Sequence, residues 1–331
     1  MSRTMYFKNK PKITATATVC GPKEAQANLS DFIDEKFDDD YCGEKSFELA
    51  ERKMLITAVK RAIEKSGKKI EDINAIIAGD LLNQIISASF SAREFDTGFI
   101  GVYNACSTMT ESMMLGAALV DGGYLKNVVC ATASHFSTAE RQYRFPLEQG
   151  TTRPAQSQWT VTGAGANVLS IAEKGISIVS ATVGRVVDYG VVDANNMGAA
   201  MAPAAIHTLL DFFESTHKRP SDYDLILTGD LGSLGSRILK ELALKKGLSL
   251  DNHIDCGELI YNMDETEYQG GSGAGCSAVV FNSYIYKRML SGDYKRVLFM
   301  ATGALLSTTS AQQGESIPGI AHLIELENDY V

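Results

Sequence analysis

Cys106 is the residue whose type and position in this sequence first suggest chemistry. It lies in Asn104-Ala-Cys-Ser-Thr-Met109, after a predicted strand at Gly98–Tyr103 and at the start of a helix predicted to reach Val120. The first N–H groups of a helix are unpaired and carry partial positive charge, which lowers the pKa of a thiol and attracts anions. Cys106, Ser107 and Thr108 therefore form a candidate nucleophile or carboxylate site. A buried structural cysteine is the alternative.

A histidine and two arginines follow another predicted strand, at Asn127–Thr132. They are His135, Arg141 and Arg144. Since neighbouring parallel strands end at the same edge of a sheet, we expect His135 to lie close to Cys106, which makes a Cys–His pair possible. The two arginines either bind an anion in a pocket or lie on a solvated surface loop.

Two segments of the chain recur in the same order. Asp72–Leu81 resembles Asp222–Leu231 at an offset of 150 residues, and Cys106-Ser107 matches Cys276-Ser277 at an offset of 170. One such pair could arise by chance, but two pairs in order indicate an internal duplication.

The duplication places Asp80 and Asp230 in equivalent turns after a strand. They could orient loops where the two halves meet, or help to hold a calcium ion, which prefers oxygen ligands. They could also accept hydrogen bonds from the backbone of their own turns, and this third interpretation is favoured.

Short apolar strands alternate with helical patterns such as Lys53–Lys65 and Ala199–Phe213. This alternation predicts an α/β fold with a mostly parallel sheet and crossover helices. The duplication divides it into an N-terminal half, 1–172, and a C-terminal half, 173–331. Ligands of such sheets bind at the carboxyl ends of the strands, so the expected site lies where the halves meet.

The composition excludes several classes of protein. The 331 residues carry a net charge of −9 with no basic stripe, which argues against a nucleic-acid partner. The six cysteines form no CxxC pair, so a structural metal site is not expected. The polar N-terminus predicts no signal peptide, and no apolar run is long enough to predict a transmembrane segment.

A cysteine after a strand in the first of two α/β halves resembles the thiolase and ketoacyl synthase superfamily. That resemblance implies a thiolase-like fold with five layers, α/β/α/β/α, and a homodimer formed through the strand Gly98–Tyr103. It also implies an acyl-accepting Cys106, but the second-half partners are missing. Gly229–Gly235 contains no histidine, and Gly270–Cys276 has no Asn-Gly-Asn-Thr-like run. An acyltransferase that uses Cys106 and His135 is therefore the weaker hypothesis.

A more extensive resemblance is to the stage V sporulation protein AD family, and it covers nearly the whole chain. The motifs that carry it are Gly21–Glu24, Ala78–Gln84, Ala105–Thr108, Ala133–His135, Thr138–Gln142, Val161–Gly163, Ala181–Arg185, Met197–Ala205, Leu227–Asp230, Ala301–Ser307 and Glu315–Pro318.

This second resemblance implies a non-catalytic protein that binds dipicolinic acid (pyridine-2,6-dicarboxylate), alone or with calcium, and needs no other cofactor. It would act in uptake into the developing spore during sporulation, peripheral on the inner membrane, with membrane proteins of the same operon. A scaffold that only docks those proteins is a further alternative. Met197 and Met201 either line the ligand's ring or pack in the core. The candidate ligand-binding residues are Asp80, Cys106, Ser107, Thr108, His135, Arg141, Arg144, Met197 and Asp230.

Overall fold

The computed structural model describes residues 2–144, 150, 152–261 and 268–329. Its strands are β1 Thr4–Tyr6, β2 Lys12–Cys20, β3 Glu35–Lys36, β4 Ala75–Gly79, β5 Gly98–Gly101, β6 Asn127–Ser134, β7 Trp159–Thr160, β8 Gly163–Ser170, β9 Ile176–Thr182, β10 Leu225–Thr228, β11 His253–Asp255, β12 Gly271–Ser272, β13 Arg296–Ala304 and β14 Gly319–Glu327. Its helices are α1 Phe47–Lys65, α2 Ile86–Ser91, α3 Thr108–Asp121, α4 Phe136–Tyr143, α5 Met197–Thr216, α6 Gly232–Lys245, α7 Cys256–Ile260, α8 Ala274–Val280, α9 Tyr286–Leu290 and α10 Thr308–Gln312.

Helix α1 shows how local sequence sets an element. The helix predicted at Lys53–Lys65 is confirmed but begins earlier, at Phe47, because the Ser46 hydroxyl accepts the Leu49 N–H at 3.3 Å and caps it. Its inward face consists of apolar residues at helical spacing, which include Met54, Leu55, Ala58, Val59, Ala62 and Ile63. Packing of this face on the sheet stabilises the helix.

The main sheet repeats one strand order in each half. The first half runs β5-β4-β6-β8-β2 and the second runs β11-β10-β13-β14-β9, and the halves join where β2 pairs with β9. In each half the outer three strands are parallel, but β8 and β14 run antiparallel to their neighbours. The sheet is therefore mixed rather than mostly parallel. The boundary predicted between residues 172 and 173 falls between β8 and β9.

Helices and the two halves of the sheet form alternating layers. Helix α1 packs on β2, β6 and β8, whereas α5 packs on β13 and β14 and against α6. Between these halves lies α3, which contacts β4, β6 and β8 of the first half and β13 and β14 of the second. Helix α8, the counterpart of α3, lies beside it. The arrangement is the expected α/β/α/β/α order, with Cys106 at the central layer.

The state of the cysteines and the character of the helices in the described residues bear on where the chain resides. All six cysteines are buried and free. Within residues 2–144, 152–261 and 268–329, no helix is both long enough and apolar enough to cross a bilayer.

Candidate functional site

A tight turn between β5 and α3 holds Cys106. Ala105 has a left-handed backbone, with φ at 49°, and the Thr108 hydroxyl donates to its carbonyl oxygen at 2.6 Å. The N–H groups of Ser107 and Thr108 donate to the carbonyls of Asn104 and Ala105. These two N–H groups are thus occupied within the turn, so the carboxylate site expected at this helix start is not free to form.

Asp230 and Gly273, both from the second half, contact the Cys106 thiol. The thiol lies against the Asp230 carboxyl group, whose Oδ2 accepts the Gly273 N–H at 3.1 Å. Burial and then the charge and hydrogen bond of Asp230 raise the pKa of Cys106 well above its usual value. The prediction of a lowered thiol pKa is wrong, because burial and a carboxylate outweigh the helix start. At neutral pH the thiol is protonated.

The two aspartates of the duplicated turns have different roles. Asp80 accepts the N–H groups of Leu82 and Ala88, each at 2.7 Å, which confirms the turn interpretation for this residue. Asp230 instead accepts the Thr302 hydroxyl at 2.9 Å besides facing Cys106. Burial raises the pKa of Asp230 to about 7. Among the described residues, no cluster of three or more His, Cys, Asp or Glu side chains could hold a metal ion.

A small cavity of about 40 Å³ opens beside Cys106. Beyond it lies a cleft of about 590 Å³, and Tyr103, Tyr143 and Leu306 line both spaces. The two tyrosine hydroxyls are 3.2 Å apart, and that of Tyr143 also donates to the carbonyl of Leu81. The cavity is lined by Leu81, Tyr103, Ala105, Cys106, Ala139, Tyr143, Arg144, Thr160, Met197, Ser272, Gly273, Ala304 and Leu306.

One cation, Arg144, belongs to this largely apolar wall. Its side chain is 5% exposed and forms an ion pair with Glu140, one turn earlier in α4. Arg153 reaches the same Glu140 oxygen at 2.8 Å. The Nε atoms of both arginines are buried without a hydrogen-bond partner in the part of the chain that the structure describes. Two guanidinium groups therefore share one carboxylate next to the cavity.

The structure brings some of the predicted site residues together and separates others. Cys106, Arg144 and Met197 line the cavity, and Asp230 contacts Cys106. Arg141 is an exposed residue paired with Glu48, and it lines a different cleft.

Four other predicted residues are buried outside the cavity lining. Asp80 binds its own turn, as described above. The Ser107 hydroxyl donates to the Ala301 carbonyl at 2.8 Å, and Thr108 bonds within the Cys106 turn. Ser107 and Thr108 therefore support the turn rather than facing the cavity.

His135 is the fourth of these residues, and it does not pair with Cys106. Its Nδ1 accepts the Ser137 N–H at 3.1 Å, which caps α4, and its Nε2 lies 2.8 Å from the Asp40 carbonyl. Its ring packs on Phe47, and burial lowers its pKa. The expected Cys–His pair is therefore wrong, because both ring nitrogens are engaged elsewhere.

Residues of the site that were not predicted as functional from the sequence include Tyr103, Tyr143, Arg153 and Gly273. Gly273 lies in the glycine-rich run Gly270–Cys276 and has φ at 97°, where a Cβ would come 2.8 Å from the Ser134 hydroxyl. The glycine-rich run indicates a close backbone approach at this position, because glycine has no Cβ. The tyrosines and Arg153 carry no such signal.

Comparison with known proteins identifies relatives over the whole chain. The family model described as Stage V sporulation protein AD (SpoVAD) matches residues 1–327. The Stage V sporulation protein AD of Bacillus subtilis strain 168 is 44% identical over 326 residues, which cover 98% of this chain and 96% of that protein.

Solved structures with low sequence identity share the fold. A 3-oxoacyl-[acyl-carrier-protein] synthase III from Aquifex aeolicus is 14% identical with a TM-score of 0.61, over 96% of this chain and 100% of that one. Cerulenin-bound OleA from Xanthomonas campestris is 12% identical with a TM-score of 0.65, over 98% of each chain. The thiolase-like fold expected from the sequence is confirmed.

Proposed function

The chain belongs to the stage V sporulation protein AD family, and on that premise we propose that it binds pyridine-2,6-dicarboxylate, free or as its calcium chelate, for uptake into the developing spore. The ligand binds in the Cys106 cavity and leaves unchanged. A binding protein and a condensing enzyme can share this fold, and it is the residues of the site that distinguish them.

The state of Cys106 supports binding rather than catalysis. A cysteine nucleophile reacts as its thiolate and needs a base or a lowered pKa. Here the pKa of Cys106 is raised, and the side chain against it is the carboxylate of Asp230. Of the histidines, His135 binds Asp40 and Ser137. These contacts leave the thiol protonated beside an acid.

The position of Arg144 in the cavity wall is the observation that carries the proposal. A guanidinium binds carboxylates through paired charge-assisted hydrogen bonds, and Arg144 lies in the cavity wall with an Nε that has no partner among the described residues. Tyr103, Tyr143 and Met197 supply apolar surface for a pyridine ring. One wall thus offers both features that an aromatic carboxylate requires.

The size of the cavity implies that its walls move when the ligand enters. A volume of about 40 Å³ holds only a few water molecules. Met197 at the start of α5 and the two tyrosines are the side chains with room to move, since Tyr103 is 41% exposed and the cleft beyond is wide. Binding therefore requires rotation of these side chains.

Calorimetric titration with pyridine-2,6-dicarboxylate, with and without calcium, tests the proposal. The wild type should bind in at least one condition, and Arg144→Gln should weaken binding about tenfold or more, because a charged hydrogen bond is lost. Arg141→Gln, three residues earlier and paired with Glu48 outside the cavity, is the matched control and should bind as the wild type does. No binding by the wild type at millimolar ligand would overturn the proposal.

Mass spectrometry after incubation with acyl-CoA tests the non-catalytic part. The protein should carry no adduct on Cys106. A stoichiometric acyl-Cys106 would overturn this part of the proposal and support an acyltransferase instead.

We also propose a homodimer and a role beside membrane proteins of the same operon, at the inner membrane of the spore. The family supports the second of these proposals. The first is supported by β5, which is the last strand of its half of the sheet and in which Ile100 is 38% exposed. An open edge strand with apolar side chains favours pairing with another chain.

A further inference from the structure

We infer that Arg153 is a positioning residue for the ligand: it neutralises Glu140 and so leaves the charge of Arg144 free to bind a carboxylate. This inference rests on the proposed function, and it assigns a role to a residue outside the cavity wall. It concerns the buried group formed by Glu140, Arg144 and Arg153.

The geometry of this group is that of one acceptor between two donors. Arg144 and Arg153 both reach Oε1 of Glu140, from opposite ends of the segment that follows α4. The exposed fractions of the Arg144, Glu140 and Arg153 side chains are 5%, 9% and 15%. Charges this far from water are weakly screened, so each affects the others strongly.

The net charge of this group depends on Arg153. With Arg144 alone, Glu140 would form a neutral pair, and an approaching carboxylate would be attracted by one group and repelled by the other. With Arg153 also bound to Glu140, the group carries one net positive charge. A buried charge without compensation is costly, and a ligand carboxylate removes that cost.

Arg153 is fixed in this role by its other contacts. Its guanidinium also donates to the Gln158 carbonyl and lies 5.5 Å from the ring centres of Phe136 and Trp159. These contacts hold it against Glu140 and away from the cavity, whose lining includes Arg144 but not Arg153. In this arrangement Arg144 contacts the ligand, and Arg153 neutralises the charge of Glu140.

The remaining groups near Arg144 do not cancel this charge. Cys106 lies close enough to affect the pKa of Arg144, but its thiol is protonated. Asp230 accepts hydrogen bonds from Thr302 and Gly273, and burial raises its pKa to about 7, so at neutral pH it carries only part of a negative charge. Within the described residues, Glu140 is thus the carboxylate that Arg144 pairs with.

A rescue experiment separates this role from a merely structural one. Affinity for pyridine-2,6-dicarboxylate is measured by calorimetry for the wild type, Arg153→Gln, Glu140→Gln and the double variant, with Arg141→Gln as a control. Arg153→Gln should bind about tenfold more weakly, since Glu140 then neutralises the charge of Arg144. The double variant should return to within about threefold of the wild type, because Arg144 is released again. Thermal unfolding checks that each variant is folded.

Three results would count against the inference or its premise. Wild-type affinity in Arg153→Gln would overturn it. A double variant as weak as Arg153→Gln would also overturn it, because it would show that Arg153 acts only by supporting the fold. Absence of binding in the wild type would instead overturn the proposed function itself.

Discussion

The Cys106 thiol of the first half lies against the buried carboxyl group of Asp230 in the second half. Each residue follows a strand of its own half, and the contact joins the two halves at the cavity. A carboxylate disfavours formation of a thiolate beside it, so this pair keeps the sulfur protonated. The thiol is thereby held in its protonated form, which is a weaker nucleophile than a thiolate.

Asp230→Asn should make Cys106 more reactive. Removing the carboxylate removes the charge and the hydrogen bond that, after burial, raise the pKa of the thiol. Each unit by which the pKa falls increases the thiolate fraction about tenfold. Alkylation of Cys106 by iodoacetamide at pH 8, followed by peptide mass spectrometry, should therefore be faster in this variant than in the wild type.

Asp80→Asn is the matched control for that experiment, because Asp80 occupies the equivalent turn but binds Leu82 and Ala88. Its Cys106 should react at the wild-type rate. Equal rates in all three proteins would show that Asp230 does not control the thiol. The other five buried cysteines report any general loosening of the fold.

The sequence was sufficient to identify several parts of the site. Strand–turn patterns located Cys106 and Asp230, because each residue follows a short apolar strand and recurs in the other half. The order of the duplicated segments also predicted the repeated sheet. These inferences depend on local periodicity and on repetition, which are visible without a structure.

Other parts could not be predicted, because they depend on which loops meet. Asp80 and Asp230 share one sequence motif, yet only Asp230 faces Cys106. The helix start alone predicts a lowered thiol pKa, whereas the pKa is raised by burial and by a partner from the second half, which are tertiary properties. His135 follows a strand as expected, but its side chain turns back to cap α4.

Stability should fall as the pH rises from about 6 to 8. Burial raises the pKa of several carboxyl groups, and these include Glu24, Glu111 and Asp230, each to about 7, and Asp80, to about 6. In this window the folded state holds protons that the unfolded state has already lost, so folding loses free energy as the pH rises. The melting temperature should be lower at pH 8 than at pH 6.

Glu24→Gln should flatten this pH dependence, whereas the exposed Glu173→Gln should leave it unchanged. His253 and His322 act in the opposite direction, because burial lowers their pKa to about 3 and about 4 and the unfolded state gains these protons first as the pH falls. Two imidazoles only partly offset the four carboxyl groups. A melting temperature that rises between pH 6 and pH 8 would contradict the prediction.

Ile100→Asp should convert a dimer to a monomer. Ile100 is 38% exposed on β5, the edge strand through which we propose that two copies pair, and a charge at this position opposes strand addition. Light scattering coupled to gel filtration measures the mass. Ile171→Asp introduces the same change at a residue that is 55% exposed elsewhere, and it should remain dimeric. A monomeric wild type would contradict the proposed dimer.

Met197→Ala and Met201→Ala should have opposite effects on ligand binding and stability. Met201 is fully buried in the core around α5, so its truncation should cost about 2–5 kcal/mol of unfolding free energy. Met197, one turn earlier, lines the cavity, and it is only partly buried. Its truncation should cost less stability but change the affinity for pyridine-2,6-dicarboxylate. Chemical denaturation and calorimetry on both variants measure the two effects. A larger loss of stability in Met197→Ala, with unchanged affinity, would place Met197 in the core and remove it from the proposed site.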